Sequence, residues 1–277
     1  NEDVETQEEE TTEEETSTNV AKIGDTQYET LQAAFDAAQA GATVTLLTNT
    51  ELTADLTVGK KITLDLNGKT IETNGYSIEV AATGDLTITG SGTINNSVLA
   101  TGSVGSNNLD CKTMLDVEQG GKLTIENGTF TTKASQIIYT EGEAKVTGGT
   151  FKNTADTVNS ALDSSSMIFV NGQEASLEIS NAKIEATAEA ENAGIYGVYG
   201  AFGAHVTLNA GTEINTSLAA VGMNNTTSDP DVVITVNGGK YQAGCTKLAN
   251  QYGYFNAVFY LPGKCQLTIN GGEFTTK

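Results

Sequence analysis

One short unit recurs along this chain, and it constrains the fold more than any other feature. Its clearest copy is Leu267-Thr-Ile-Asn-Gly-Gly-Glu-Phe274. Near-copies stand at Leu86–Ile94, Leu123–Phe130, Lys145–Phe151, Leu177–Ile184, Val206–Ile214 and Ile234–Tyr241, with a degenerate first copy at Ile62–Ile71. The second apolar residue of each unit is in turn Leu64, Ile88, Ile125, Val146, Ile179, Leu208, Val236 and Ile269, so the spacings are 24, 37, 21, 33, 29, 28 and 33 residues. A core of fixed length parted by insertions of variable length is the pattern of a solenoid.

In Leu-Thr-Ile the apolar residues alternate with a threonine, so Leu267 and Ile269 face one side of a strand and Thr268 the other. The Asn-Gly-Gly that follows permits positive φ and a sharp bend. A second short strand then opens on an inward Phe, Tyr or Ile. Most units carry another apolar pair just upstream, such as Ile78/Val80, Leu115/Val117 and Phe259/Leu261. Strand, turn, strand, bend, strand, loop is one coil of an all-β, three-sheet parallel β-helix, here of roughly eight coils. A lone coil cannot bury its apolar face, so neighbouring coils must stack.

The ends read differently. Residues 1–19 hold nine acids, no lysine and almost nothing apolar, so this segment is expected to be a disordered acidic tail or spacer. Residues 20–277 form the β-helix domain. Within it Leu31, Ala34, Phe35 and Ala38 make a helical stripe over Tyr28–Gln39, with Thr26 or Asp25 as cap and Gly41 as stop. This helix, about 28–39, is expected to lie as a lid over the N-terminal end of the solenoid. No cap is visible around Phe274-Thr-Thr-Lys277, which reads as a truncated C-terminal end.

Net charge is −21, and −12 once the nine tail acids are set aside (−21 + 9). All basic side chains are lysine, which argues against nucleic acid. No apolar run is long enough for membrane insertion. Cys111, Cys245 and Cys265 make an odd count; Cys245 and Cys265 either bridge the last coil or pack as small buried residues. With one histidine and no Cys-x-x-Cys, no metal or cofactor site is expected, beyond weak calcium binding by surface acids.

The helix, the opening strand in ATVTLLTNTEL, the GKKITLDLNGKTI coil and the LTI-x-GG-x-F rungs resemble the pectin-lyase-like right-handed parallel β-helix superfamily. More narrowly they resemble non-catalytic, adhesin-like surface proteins of gut Gram-positive bacteria. The resemblance implies a right-handed coil and an extracellular location, secreted or at the cell surface. It also implies asparagines stacked between coils at the bends, for which Asn127, Asn181, Asn209, Asn237 and Asn270 are candidates; local turn chemistry accounts for them as well. Lyases of this superfamily use an arginine base, and its hydrolases bring three aspartates with Gly-His-Gly and Arg-x-Lys. This chain has no arginine, and its only histidine lies in Gly203-Ala-His205-Val.

Function is therefore sought on the loops that a rigid scaffold carries. The insertions are 95–111, 153–166, 185–193, 217–231 and 242–256. Two segments near them are rich in tyrosine and glycine, which makes Tyr196, Tyr199, Tyr252 and Tyr254 candidate platforms for sugar rings; stacking along the coils is the alternative reading. The expected function is a non-enzymatic scaffold, monomeric and adhesin-like, presenting loops to glycans or to host or cell-surface proteins. The alternative is a polysaccharide lyase or glycoside hydrolase with an unfamiliar carboxylate pair, drawn from Asp65, Asp85, Asp116 and Glu126 on neighbouring coils.

Overall fold

The computed structural model describes residues 19–99, 113–134, 136–158, 165–189, 193–244 and 257–277. Residues 1–18 of the predicted acidic tail lie outside this set, as do Tyr252, Tyr254, Cys111 and Cys245.

The chain is a right-handed parallel β-helix of three sheets. Sheet A is built from the Leu-Thr-Ile strands: Ala42–Leu46, Lys61–Asp65, Asp85–Thr89, Lys122–Ile125, Glu143–Val146, Ser176–Ile179, His205–Leu208, Val232–Val236 and Cys265–Ile269. Sheet B takes the strand after each bend, from Thr50–Glu51 to Glu273–Thr276, and sheet C the upstream pair, from Leu56–Val58 to Phe259–Tyr260. The expected repeat is thus a coil, with one coil more than the eight recurring units: Ala42–Leu46 precedes them and sets Val44 against Leu64.

The core consists of in-register columns. On sheet A, Val44, Leu64, Ile88, Ile125, Val146, Ile179, Leu208, Val236 and Ile269 each pair with the next. All are fully buried except the last, Ile269, which is 47% exposed. On sheet B the column runs Ile71, Ile94, Phe130, Phe151, Ile184, Ile214, Tyr241, Phe274. Rings that follow one another in it stack, Phe130 on Phe151 at 4.8 Å and Tyr241 on Phe274 at 5.3 Å. Alternation explains why these side chains point inward, and stacking explains why they stay dry.

Outside the columns, charge keeps the coils in step. Lys61, Asp85, Lys122 and Glu143 stand in register on sheet A, with ion pairs Lys61–Asp85 at 3.2 Å and Lys122–Glu143 at 2.8 Å. At the bend, the expected asparagine ladder forms only in part. Asn270 Nδ2 donates to Asn237 Oδ1 (2.8 Å), Asn237 Nδ2 to Asn209 Oδ1 (2.9 Å), and Asn209 Nδ2 to Glu178 Oε1 (3.0 Å). This ladder faces solvent. Asn181 instead takes φ +50°, holding the bend where its unit lacks a glycine.

The N-terminal reading needs correction. Thr26–Tyr28 is a strand, paired antiparallel with Ala21–Ile23 around Gly24-Asp25, and this hairpin extends sheet A. The helix is shorter than the predicted 28–39, spanning Leu31–Ala37, and its N-cap is Thr30, whose Oγ1 accepts from Ala33 N at 3.1 Å. The Thr-Gln-Tyr run preceding it satisfies its backbone in the hairpin and so is lost to the helix. Leu31, Ala34, Phe35 and Ala38 are buried in the main core, so the expected lid is present. Lys60 Nζ ties it down, donating to Asp36 O and Ala38 O at 2.9 Å each.

The insertion read at 217–231 is also smaller than expected, because Val221–Asn224 is a sheet C strand. At the other end Leu267, Ile269 and Phe274 are 38–47% exposed, since no coil covers theirs among the described residues. Replacing Ile125 by alanine should therefore cost about 3 kcal/mol, and Ile269→Ala about 1 kcal/mol or less. Urea unfolding followed by circular dichroism distinguishes the two; equal losses would contradict the columns.

Candidate functional site at the corner of sheets C and A

The outward row of sheet C carries the chemistry. In register it reads Thr57, Glu79, Asp116, Tyr139, Phe169, Tyr199 and Gly222. Two acids, Glu79 and Asp116, are followed by three aromatic residues, Tyr139, Phe169 and Tyr199.

The aromatic part accounts for two of the predicted platform residues. Tyr139, Phe169 and Tyr199 stack at 5.6 Å per step with nearly parallel planes, Tyr196 packs on Tyr199 at 5.1 Å, and Tyr260 lies 6.1 Å from Tyr196. Tyr139, Phe169, Tyr196 and Tyr199 form, with Ala201, Leu218 and Ala219, a second buried cluster separate from the main core, and the partly buried Tyr260 packs against it. Tyr196 and Tyr199 are 4% and 6% exposed, so their faces are turned to other rings instead of offering an open platform. Gly222 makes the packing possible: a Cβ there would lie 2.6 Å from the Tyr199 ring.

The four carboxylates named from the sequence do not gather. Asp65 pairs in register with Thr89 and accepts from Asn67 N, Asp85 is ion-paired with Lys61, and Glu126 follows its sheet A strand. Asp116 alone lies on sheet C, and its neighbour there is Glu79, which sequence reasoning missed. The signal was available, since Ile78-Glu79-Val80 and Leu115-Asp116-Val117 occupy the same place in consecutive units. Burial, then the charges of Glu79, Glu141, Glu118 and Asp55, raise the Asp116 carboxyl to about 6. Glu79 is raised as well, by burial first and then by Asp55 and Glu118.

Beside this row the chain rounds the corner from sheet C to sheet A, and there a cleft opens. Between Glu141 and the strand Glu143–Val146 the chain turns on Gly142 alone. The coil before it uses residues 119–121, and the two coils after it use 172–175 and 202–204. Gly142 lies flat against its neighbour: a Cβ would come within 2.3 Å of Gly121 O. One short turn among longer ones leaves a notch of about 520 Å³, lined by Gln119, Glu141, Asn171, Gln173, Glu174 and Phe202.

Two of its lining side chains, Glu141 and Asn171, are fixed by hydrogen bonds. Tyr139 Oη donates to Glu141 Oε1 at 3.0 Å, and Asn171 Nδ2 reaches both Tyr139 Oη (2.7 Å) and Glu141 Oε1 (2.9 Å). Burial and the Glu141 carboxylate push the Tyr139 hydroxyl well above its usual range. Asn171 Oδ1 is buried with no hydrogen-bond partner.

Elsewhere the expected candidates are dispersed. His205 is exposed on sheet A between Ser176 and Val233. Cys265 is half-buried, its thiol raised by burial and by Asp231. Among the described residues no group of three His, Cys, Asp or Glu side chains could hold a metal ion, and no helix is long and apolar enough to cross a membrane. No family model, curated protein or solved structure matches the chain.

Asp116 makes stability fall with pH. Its carboxyl holds its proton more tightly folded (about 6) than unfolded (about 3.8), so the folded state binds more protons between those values. The benefit is complete below about pH 4 and is lost as pH rises through about 6. After discounting for solvent screening the loss is about 1–2 kcal/mol. Asp116→Asn should flatten this dependence in urea midpoints taken at pH 4.5 and 8; an unchanged slope would assign it to other groups.

Proposed function

We propose that this protein is a secreted or cell-surface β-helical rod that presents loops and corners to glycans or host proteins without turning them over. One observation carries this reading. Residues 97–114 separate Thr93–Asn96 from Leu115–Val117, whereas only residues 133–137 separate the equivalent strands of the next coil, yet Ile78, Leu115 and Ile138 stay in register. Register between coils is thus kept whatever the length of the segment joining their strands, and that freedom of length is what a scaffold for recognition loops needs. The rung and bend pattern supports kinship with pectin-lyase-like surface proteins of gut Gram-positive bacteria. The acidic 1–19 segment, as a spacer, fits an extracellular location.

A second reading rests on Asp116 and Glu79. Two carboxyl groups on adjacent strands, one of them raised to about 6, have the chemistry of a glycosidase acid with its partner. A panel of immobilised glycans and extracellular-matrix proteins, run beside a reducing-sugar assay on the same glycans, separates the two. Saturable binding with no new reducing ends is expected. New reducing ends that disappear in Asp116→Asn would replace the scaffold reading with the hydrolase, and no binding to either class would remove it.

A further inference from the structure

We infer that the notch around Phe202 is a carbohydrate subsite for an uncharged or amino-bearing sugar ring, with Phe202 as its stacking face. This deepens the scaffold reading and rests on it, placing the contact at a turn corner instead of at the tyrosines.

The backbone of Phe202 is the first reason. It stands at φ +54°, followed by Gly203 at φ +91°. The other non-glycine residues with positive φ are Asn67, Asn74 and Asn181 among those described. Asparagine suits that conformation because its short polar side chain bonds locally, whereas a phenylalanine is strained by its Cβ. Local turn chemistry would thus place Asn or Gly here. An aromatic residue that is both strained and 40% exposed is satisfied neither by its backbone nor by burial. Such strain persists where the side chain has another role.

The surroundings supply the second reason. Phe202 shares the notch with Gln119, Gln173 and Glu174, and with Glu141 and Asn171, which are hydrogen-bonded to each other and to Tyr139. An apolar ring beside several amides and carboxylates is the composition that orients a polyhydroxylated ring: the C–H face lies on the aromatic, and hydroxyls donate to fixed oxygens. Asn171 Nδ2 is already held by Tyr139 Oη and Glu141 Oε1, so this side of the notch is fixed before any ligand arrives. Its size lies within the usual range of roughly 300–1,000 Å³ for ligand sites.

Charge narrows the ligand. Glu141 and Glu174 line the notch, Glu118 and Asp116 stand beside it, and the chain carries −21 overall. A uronate, sulfated or sialylated sugar would meet like charge at close range, whereas a neutral pyranose would not, and a protonated amino sugar would be attracted.

The test uses the full chain with three probes: a neutral β-glucan hexasaccharide, a chitosan hexasaccharide and a hexagalacturonate, by isothermal titration and ¹⁵N-detected NMR. The neutral or amino oligosaccharide should bind, with shifts centred on residues 119, 141, 171 and 202, and the galacturonate should not. Phe202→Asn should weaken that binding about tenfold or more. The same variant should raise the melting temperature by about 2 °C, because it relieves the strained turn, so lost binding cannot be attributed to unfolding. Glu141→Gln should also weaken binding. Tight galacturonate binding, or neutral sugar binding undiminished in Phe202→Asn, would overturn the assignment; in the latter case the rod still presents a glycan site elsewhere. Failure of all three sugars would also overturn it, while binding to a matrix protein in the immobilised panel described above would leave the presentation reading standing.

Discussion

No coil of this protein can keep its own apolar side chains dry. Each inward residue is covered by the equivalent residue of the coil above and below, so the whole rod rests on the register between coils. Ile125 is fully buried because Ile88 and Val146 lie on either side of it; Ile269, with a neighbour on one side only among the described residues, is half-exposed. A buried Ile or Leu is worth about 1.5–3 kcal/mol, whereas an exposed ion pair such as Lys122–Glu143 is screened by water and contributes far less. The columns therefore hold the rod together. The charge rows and the asparagine ladder add a penalty for slipping, since a shift by one coil sets like charge against like.

This arrangement explains why the corners can vary. A turn contributes little to the columns, so its length is free to change from coil to coil. At the corner of sheets C and A that freedom produces a shape: the single-residue turn at Gly142 sits between longer neighbours, and the notch follows. Phe202 is tolerated at a strained position beside it because about 1–2 kcal/mol of local strain is small beside nine stacked rungs.

The outer face of sheet C shows the same principle in its chemistry. Parallel stacking repeats whatever residue type occupies a given place, at about 4.8 Å per step. Where consecutive units hold Glu79 and Asp116, burial and then neighbouring charge raise both carboxyls; where they hold Tyr139, Phe169 and Tyr199, rings are forced into a stack and leave solvent. Acidity and burial on this face are thus collective properties of rows.

The recurring Leu-Thr-Ile unit and its glycine bends determined the three-sheet coil and the identity of the inward columns, and the stripe Leu31, Ala34, Phe35 and Ala38 determined the helical lid, because such patterns are local and periodic. The same local reading overextended the helix into Thr26–Tyr28, since hairpin pairing with Ala21–Ile23 is a contact that no stripe encodes. It also left Tyr196 and Tyr199 open between sugar platforms and rings stacked along the coils, of which the structure shows the stack, and it passed over Glu79 and Phe202. Whether an outward side chain is exposed depends on what the neighbouring coils place beside it, and that depends on insertion lengths, which carry no periodic signal. The sequence alone decided which residues face inward. Only the stacking of coils decided which outward residues meet, and so where acids crowd, rings close up and a corner opens.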